Sequence, residues 1–114
     1  MYKEIWAEEF KSRFLKNPEN LEIIDVRQPE EFNQIKIKGS KLISMQDLGA
    51  SLDKIDWSKE VIFVCRTWSR SWYVTNVLNQ NWFDGKNLAG WINILRINCE
   101  ECIEKGNLAK DYFN

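Results

Sequence analysis

Apolar side chains recur every fourth residue from Trp6 through Phe10 to Phe14, with Leu15 beside them and Glu9 and Arg13 one turn apart outside. That period predicts an amphipathic helix over Trp6–Lys16. Asn17-Pro18-Glu19-Asn20 breaks it, and the β-branched run Leu21–Val26 predicts a short strand. Pro29 suits the first turn of a short helix, Pro29–Ile35, in which Glu30 and Glu31 complement the helix dipole as charges on a solvated face. After the punctuation at Gly39-Ser40, Leu42–Met45 predicts a second strand, and Asp47–Ile55 a weak helix weakened further by Gly49.

Val61-Ile62-Phe63-Val64-Cys65 is apolar without alternation, the pattern of a central parallel strand covered on both faces. Beyond a short polar loop, Ser71–Gln80 carries Tyr73, Val74, Val77 and Leu78 on one helical face. Asp84-Gly85 turns the chain into a short strand, Asn87–Ala89, which Gly90 ends. Ile92–Phe113 reads as helix interrupted at Gly106-Asn107. Strands alternating with helices predict one α/β domain over residues 1–114 with a mainly parallel sheet. Ligands of such sheets sit beyond the carboxyl ends of the strands, so the loop after Val61–Cys65 is the place to look for chemistry.

Composition narrows that chemistry. Sixteen Lys+Arg against 17 Asp+Glu leave a net charge of -1, so no field gathers nucleic acid or an anionic membrane. The acids in Met1–Glu9 stand where a secretory signal needs an apolar run, and no stretch is long enough to span a bilayer; a soluble, cytoplasmic protein is expected. The absence of histidine removes the commonest metal ligand and neutral-pH base, which excludes histidine triads and histidine-based metal sites. Cys65, Cys99 and Cys102 are an odd count that argues for free thiols. Cys99-Glu100-Glu101-Cys102 has redox-motif spacing, but the glutamates disfavour thiolate and a helix there gives no disulfide geometry, so a plain pair of helix cysteines is expected.

Cys65-Arg66-Thr67-Trp68-Ser69-Arg70-Ser71 joins the buried strand to the next helix. A thiol there faces successive backbone N–H groups and a helix N-terminus, with Arg66 and Arg70 nearby, and each favours thiolate. Cys65 is therefore the candidate nucleophile; the bland alternative is a small buried residue at a strand end.

The chain resembles the single-domain rhodanese family from its first helix to about Leu95. Asp25-Val26-Arg27 with Pro29-Glu30-Glu31-Phe32 is similar to the first signature, Ile37-Lys38-Gly39-Ser40 to the second, Cys65–Ser71 to the active-site loop, and Asn87-Leu88-Ala89-Gly90 to the closing segment. The resemblance implies a rhodanese-like α/β fold, a mainly parallel central sheet of about five strands flanked by helices on both faces. It implies a sulfurtransferase in which Cys65 takes a sulfane sulfur from thiosulfate or a persulfide donor, small or protein-bound, and passes it to a thiol or cyanide. The loop Arg66, Thr67, Trp68, Ser69, Arg70 and Ser71 would bind substrate, its N–H groups stabilising the persulfide anion. Asp25 and Arg27 would brace neighbouring loops, and the reaction would need neither a metal nor an organic cofactor, in agreement with the absence of histidine. Cysteine phosphatases need a longer Cys-to-Arg loop than the four intervening residues here.

Trp68 occupies the usual glycine of the active-site loop, Trp91 the second glycine of the closing pair, Trp82 a turn glycine, and Trp72 a small residue, while Ile35-Lys36 replaces Gly-His. Three origins are open: an aromatic collar selecting an apolar or protein-bound donor, deliberate substitution, or codons read as Trp that the source reads as Gly. A catalytically inactive protein-binding or regulatory module is the alternative function.

Overall fold

The computed structural model describes residues 4–64, 75–81, 83–89 and 91–106, Trp91 by its backbone alone. Five parallel strands form the central sheet: β1 (Glu4–Ile5), β2 (Leu21–Asp25), β4 (Lys41–Leu42), β5 (Glu60–Val64) and β6 (Gly85–Leu88), in the order β1-β6-β5-β2-β4. β3 (Ile35–Ile37) and β7 (Ile103–Lys105) make a separate antiparallel pair. Helix α1 (Ala7–Lys16) follows β1, α2 (Pro29–Gln34) precedes β3, residues 75–80 form α3 as far as it is described, and α4 is Trp91–Asn98.

β5 lies between β2 and β6, with Leu21 through Asp25 registered on Glu60 through Val64. Alternate residues of these strands enter two cores. Leu21, Ile23, Ile62 and Val64 pack with Phe10 of α1 and Ile92 and Leu95 of α4, whereas Ile24, Val26, Val61 and Phe63 pack with Ile43, Leu48, Ile55 and Leu78. A strand apolar on both sides is what a parallel sheet covered on two faces requires, so the unalternating run of β5 was informative. Gly85 opens β6 directly over Phe63, where a Cβ would come within 2.5 Å of the ring. Asn79 clamps the same residue, accepting from its N–H (3.3 Å) and donating to its carbonyl (3.2 Å).

The predicted elements are found with changed edges. The first strand stops at Asp25, Pro29–Ile35 yields its last residue to β3, and Leu42–Met45 contributes only Leu42 to β4. The expected helix over Asp47–Ile55 is two short 3-10 segments, Met45–Ala50 and Leu52–Lys54, in agreement with its weak propensity. Trp6 is the extended residue before α1 and is 63% exposed, so Phe10, not Trp6, anchors that helix. Glu31 is more than a solvated charge: its carboxylate accepts from the Gln28 N–H at 3.1 Å in a capping box.

The expectation for the C-terminal cysteines is overturned. Cys99 and Cys102 are joined by a disulfide, with Cα atoms 5.4 Å apart. The expected helix ends at Asn98 instead of running past them; Cys99 is extended (φ -147°, ψ 77°), and a 3-10 turn, Glu100–Cys102, brings the second sulfur back. Leaving the helix lets the two Cβ atoms come closer than the roughly 5–6 Å of an i, i+3 helical pair, as a disulfide requires. The chain then enters β7 where helix was predicted.

At the amino ends of the central strands, Glu60 of β5 accepts from Arg13 of α1 and Lys86 of β6, and Arg13 also pairs with Glu9. Two open clefts of about 190 and 170 Å³ flank this Glu60 tie. Partial burial pushes the Glu60 carboxyl up, but hydrogen bonds and charge from Lys86 and Arg13 outweigh it and hold the group below its ordinary value of 4.5. A carboxylate with a depressed folded value stabilises above its unfolded value, and the contribution disappears as pH falls through the folded one. Glu60→Gln should therefore lower stability by about 1 kcal/mol at neutral pH. Urea unfolding of both proteins at neutral pH and again well below pH 4.5 checks this: the difference shrinks in acid, and an undiminished difference would show that charge is not the cause.

Candidate functional site

The carboxyl ends of β2, β5 and β6 come together at the opposite end of the sheet. Asp25 closes β2 level with Val64, the last residue of β5, and Val26 donates to the Val64 carbonyl at 3.0 Å. Cys65 is the next residue in the chain. Cys65, Arg66, Thr67, Trp68, Ser69, Arg70 and Ser71 lie outside the described residues, as do Trp72, Trp82 and Gly90. The structure thus describes the frame around the predicted loop: the strand that leads into it, the helix that follows it, and the neighbouring strand ends.

Asp25 and Arg27 dominate that frame, and neither side chain is exposed. Two residues apart at the end of a strand, they point to the same face, with Val26 inserted into the opposite core. The Arg27 Nε donates to both Asp25 carboxylate oxygens (2.9 and 3.1 Å), and the terminal nitrogen donates at 2.8 Å to one of them. The Arg27 backbone N–H adds a bond to the same carboxylate at 3.0 Å. The guanidinium also donates to the Ile35 carbonyl of β3. Such a fork satisfies a buried carboxylate and cation together, as burial of both demands.

The segment after β4 closes around this pair. Ile43 N–H donates to the Asp25 carbonyl (3.0 Å), Met45 N–H to the Val26 carbonyl (3.3 Å), and the Ser44 hydroxyl to the Arg27 carbonyl (3.1 Å). Three consecutive residues thereby dock on Asp25-Val26-Arg27 by hydrogen bonds that continue β4 past its formal end. On the other side of β5, Ala89 N–H donates to the Ile5 carbonyl at 2.8 Å, tying the exit of β6 to β1.

Sequence reasoning singled out Asp25 and Arg27, which the fold brings together, and missed Ser44, whose hydroxyl is buried on the Arg27 carbonyl. A serine at the end of a short strand carries no distinctive signal. Thr75 and Asn93 were missed too. The Thr75 Oγ1, in the first described turn of α3, and the Asn93 Oδ1, in the first turn of α4, are buried with no hydrogen-bond partner among the described residues. Thr75 follows the predicted loop Cys65–Ser71 and Asn93 the closing segment Asn87–Gly90 in the chain, and helix residues of these types read as surface from sequence alone. Among the described residues, no helix is long and apolar enough to cross a membrane.

Comparison with known proteins agrees with this frame. The sequence profile of the Rhodanese-like domain family matches residues 7–98. "Putative sulfurtransferase YtwF" of Bacillus subtilis is 35% identical over 72 residues, covering 63% of this chain and 70% of that protein. The crystal structure of a rhodanese-like domain protein from Staphylococcus aureus superposes with a TM-score of 0.74 at 29% identity, over 82% of this chain and 90% of that one. The Alr3790 protein from Anabaena shares the fold at 18% identity, with a TM-score of 0.78 over 96% and 98% of the two chains. With the family profile matched over residues 7–98 and a five-stranded parallel sheet at its centre, the chain belongs to the rhodanese-like domain family.

Proposed function

We propose that this domain is a sulfurtransferase whose nucleophile is Cys65. The observation that carries the reading is positional: Cys65 directly follows Val64, the end of the middle strand of the sheet, beside the buried Asp25–Arg27 pair. Ligands of parallel sheets are met at that end. The thiolate attacks the outer sulfur of thiosulfate or of a persulfide; the sulfur–sulfur bond of the donor breaks, sulfite or a thiolate leaves, and Cys65 holds the transferred sulfur as a persulfide. A thiol or cyanide then takes that sulfur and returns the Cys65 thiolate. No net oxidation of the protein occurs.

Arg66 and Arg70 attract the anionic donor, and the N–H groups of Thr67, Trp68, Ser69 and Ser71 stabilise the negative persulfide. Asp25 and Arg27 position this loop, acting through the strand end and not on the substrate. The likeness to a protein named as a sulfurtransferase supports the reaction class. A non-catalytic binding module is the second reading, favoured by Trp68 and Trp91 at positions where the family pattern has glycine.

Intact mass measured after thiosulfate treatment should show the gain of one sulfur atom, reversed by cyanide and absent from Cys65→Ser. The same preparation should turn over no aryl phosphate, because four residues between Cys65 and Arg70 leave too small a ring for phosphate. Absence of any persulfide favours the binding module; phosphate hydrolysis lost in Cys65→Ser overturns sulfur transfer.

Trp68→Gly should form the persulfide faster than the parent without loss of stability, since glycine adopts freely the backbone angles that cost a bulky residue roughly 1–3 kcal/mol. Stopped-flow measurement of persulfide formation decides it, and a slower variant means that the indole belongs to the working site. Asp25→Asn should destabilise the fold by about 3–5 kcal/mol, because the Arg27 cation is left buried without its counter-charge. Chemical unfolding measures that loss, and a change under about 1 kcal/mol would show that the pair is not a structural brace.

A further inference from the structure

The Cys99–Cys102 bond takes no part in the proposed sulfur transfer, and its position gives it a different use. Only two residues lie between the cysteines, so the bond removes little freedom from the unfolded chain and is a poor global staple. What it fixes is one turn, the reversal from α4 into β7.

That turn holds the β3–β7 pair against the rest of the domain. The Cys102 carbonyl accepts from the Lys38 N–H at 2.8 Å, and the next residue, Ile103, starts the ladder opposite Ile37. At the other end of the ladder, Gly106 N–H donates to the Gln34 carbonyl at 2.8 Å. The approach there is close enough that a Cβ on Gly106 would lie 2.0 Å from the Asn33 carbonyl oxygen. β3 in turn presents the Ile35 carbonyl to the Arg27 guanidinium. A continuous path of backbone bonds therefore runs from the disulfide to the buried ion pair.

Both cysteines are fully buried in the core that contains Ile35, Ile37, Leu95 and Ile103. Two unbonded thiols need roughly the 3.5–4 Å van der Waals spacing of heavy atoms. A close-packed core gives such room only at a cost, and the exposed side of the turn, Glu100 and Glu101, is where that spacing can be accommodated.

We propose that Cys99 and Cys102 are a redox-exchangeable couple whose state sets how firmly β7 holds β3. Because both sulfurs are buried in the closed state, exchange proceeds through opening of the short Glu100–Cys102 turn: a dithiol reductant then attacks one sulfur, passes through a mixed disulfide and leaves as its cyclic disulfide, and two electrons and two protons pass to the cysteines, which become thiols. Oxidation by a low-molecular-weight disulfide runs the exchange backward and releases two small thiols.

The test uses the full chain as Cys65→Ser, which removes the third thiol and keeps the result independent of sulfur transfer. Denaturing alkylation should count no thiols after oxidised glutathione and two after dithiothreitol. Amide hydrogen exchange should accelerate tenfold or more at Lys38 and Gly106 on reduction, while the amides of Val61–Val64 keep their protection. Cys99→Ala with Cys102→Ala should reproduce the reduced pattern; should that variant not fold, the comparison of the two redox states decides alone. Two thiols persisting in excess oxidised glutathione, equal protection at Lys38 and Gly106 in both states, or loss of protection throughout Val61–Val64 on reduction would each overturn the proposal.

Discussion

Burying Asp25 and Arg27 side by side is the constraint on which the functional end of this domain depends. Removing a carboxylate and a guanidinium from water costs several kcal/mol per ion, which mutual attraction offsets only where the remaining hydrogen-bonding groups are also satisfied. Here satisfaction is supplied by chain segments far apart in sequence. The Ile35 carbonyl takes one guanidinium N–H, and the backbone of Arg27 itself closes on the carboxylate. Ile43, Ser44 and Met45 dock on the intervening carbonyls. The pair is a weak source of net stability but a strong source of specificity, because any other arrangement of β3 or of residues 43–45 leaves buried polar groups unmatched.

The two ends of the sheet use charge differently. Glu60 at the amino end is partly exposed, and its ties to Arg13 and Lys86 cross from strand to helix and to the next strand, a brace that salt and solvent weaken. At the carboxyl end the pair is dry, and its bonds define where the chain leaves β2 and β5. Glu22 stands between these cases: nearly buried on β2, it accepts from Lys41 Nζ at 2.8 Å and from the Asp56 N–H at 2.7 Å. A central parallel strand tolerates an inward carboxylate when both a cation and a backbone donor reach it.

How much of this was legible follows from the length over which each signal repeats. Val61–Val64 declares a doubly covered strand because four consecutive apolar residues fit no solvated surface, and α1 declares itself by Phe10 and Phe14, one turn apart on its inner face. Asp25-Val26-Arg27 was legible through its likeness to the family's first signature, and the fold adds the physical reason: two opposite charges at the end of a strand, two residues apart, meet in one buried fork. β7 was not, since Ile103-Glu104-Lys105 has one apolar residue and its partner strand is equally short; only the meeting of the two makes either a strand. The disulfide was missed for the same reason, as nothing in Ile97-Asn98-Cys99 forbids another helical turn. The Asn98 side chain bonds back to the Ile94 carbonyl at 2.9 Å, occupying a terminal acceptor of α4. The chemistry-bearing loop was legible by motif, and the described residues supply the strand ends to which it is attached.

The β3–β7 pair and the central sheet are built to different standards of permanence. β2 and β5 bury apolar side chains on two faces, so their opening requires exposure of both cores at once. β7 is three residues long, with Glu104 and Lys105 exposed, and depends on Ile103, the adjoining disulfide and one ladder. Local opening free energies track buried apolar contact, so the pair belongs to the less stable part of the domain although it supplies an acceptor to the buried guanidinium. Stability at the site end is therefore lent by its weakest element: the five-stranded sheet fixes where Asp25 stands, while the position of Arg27 is completed by a ladder held through a single turn.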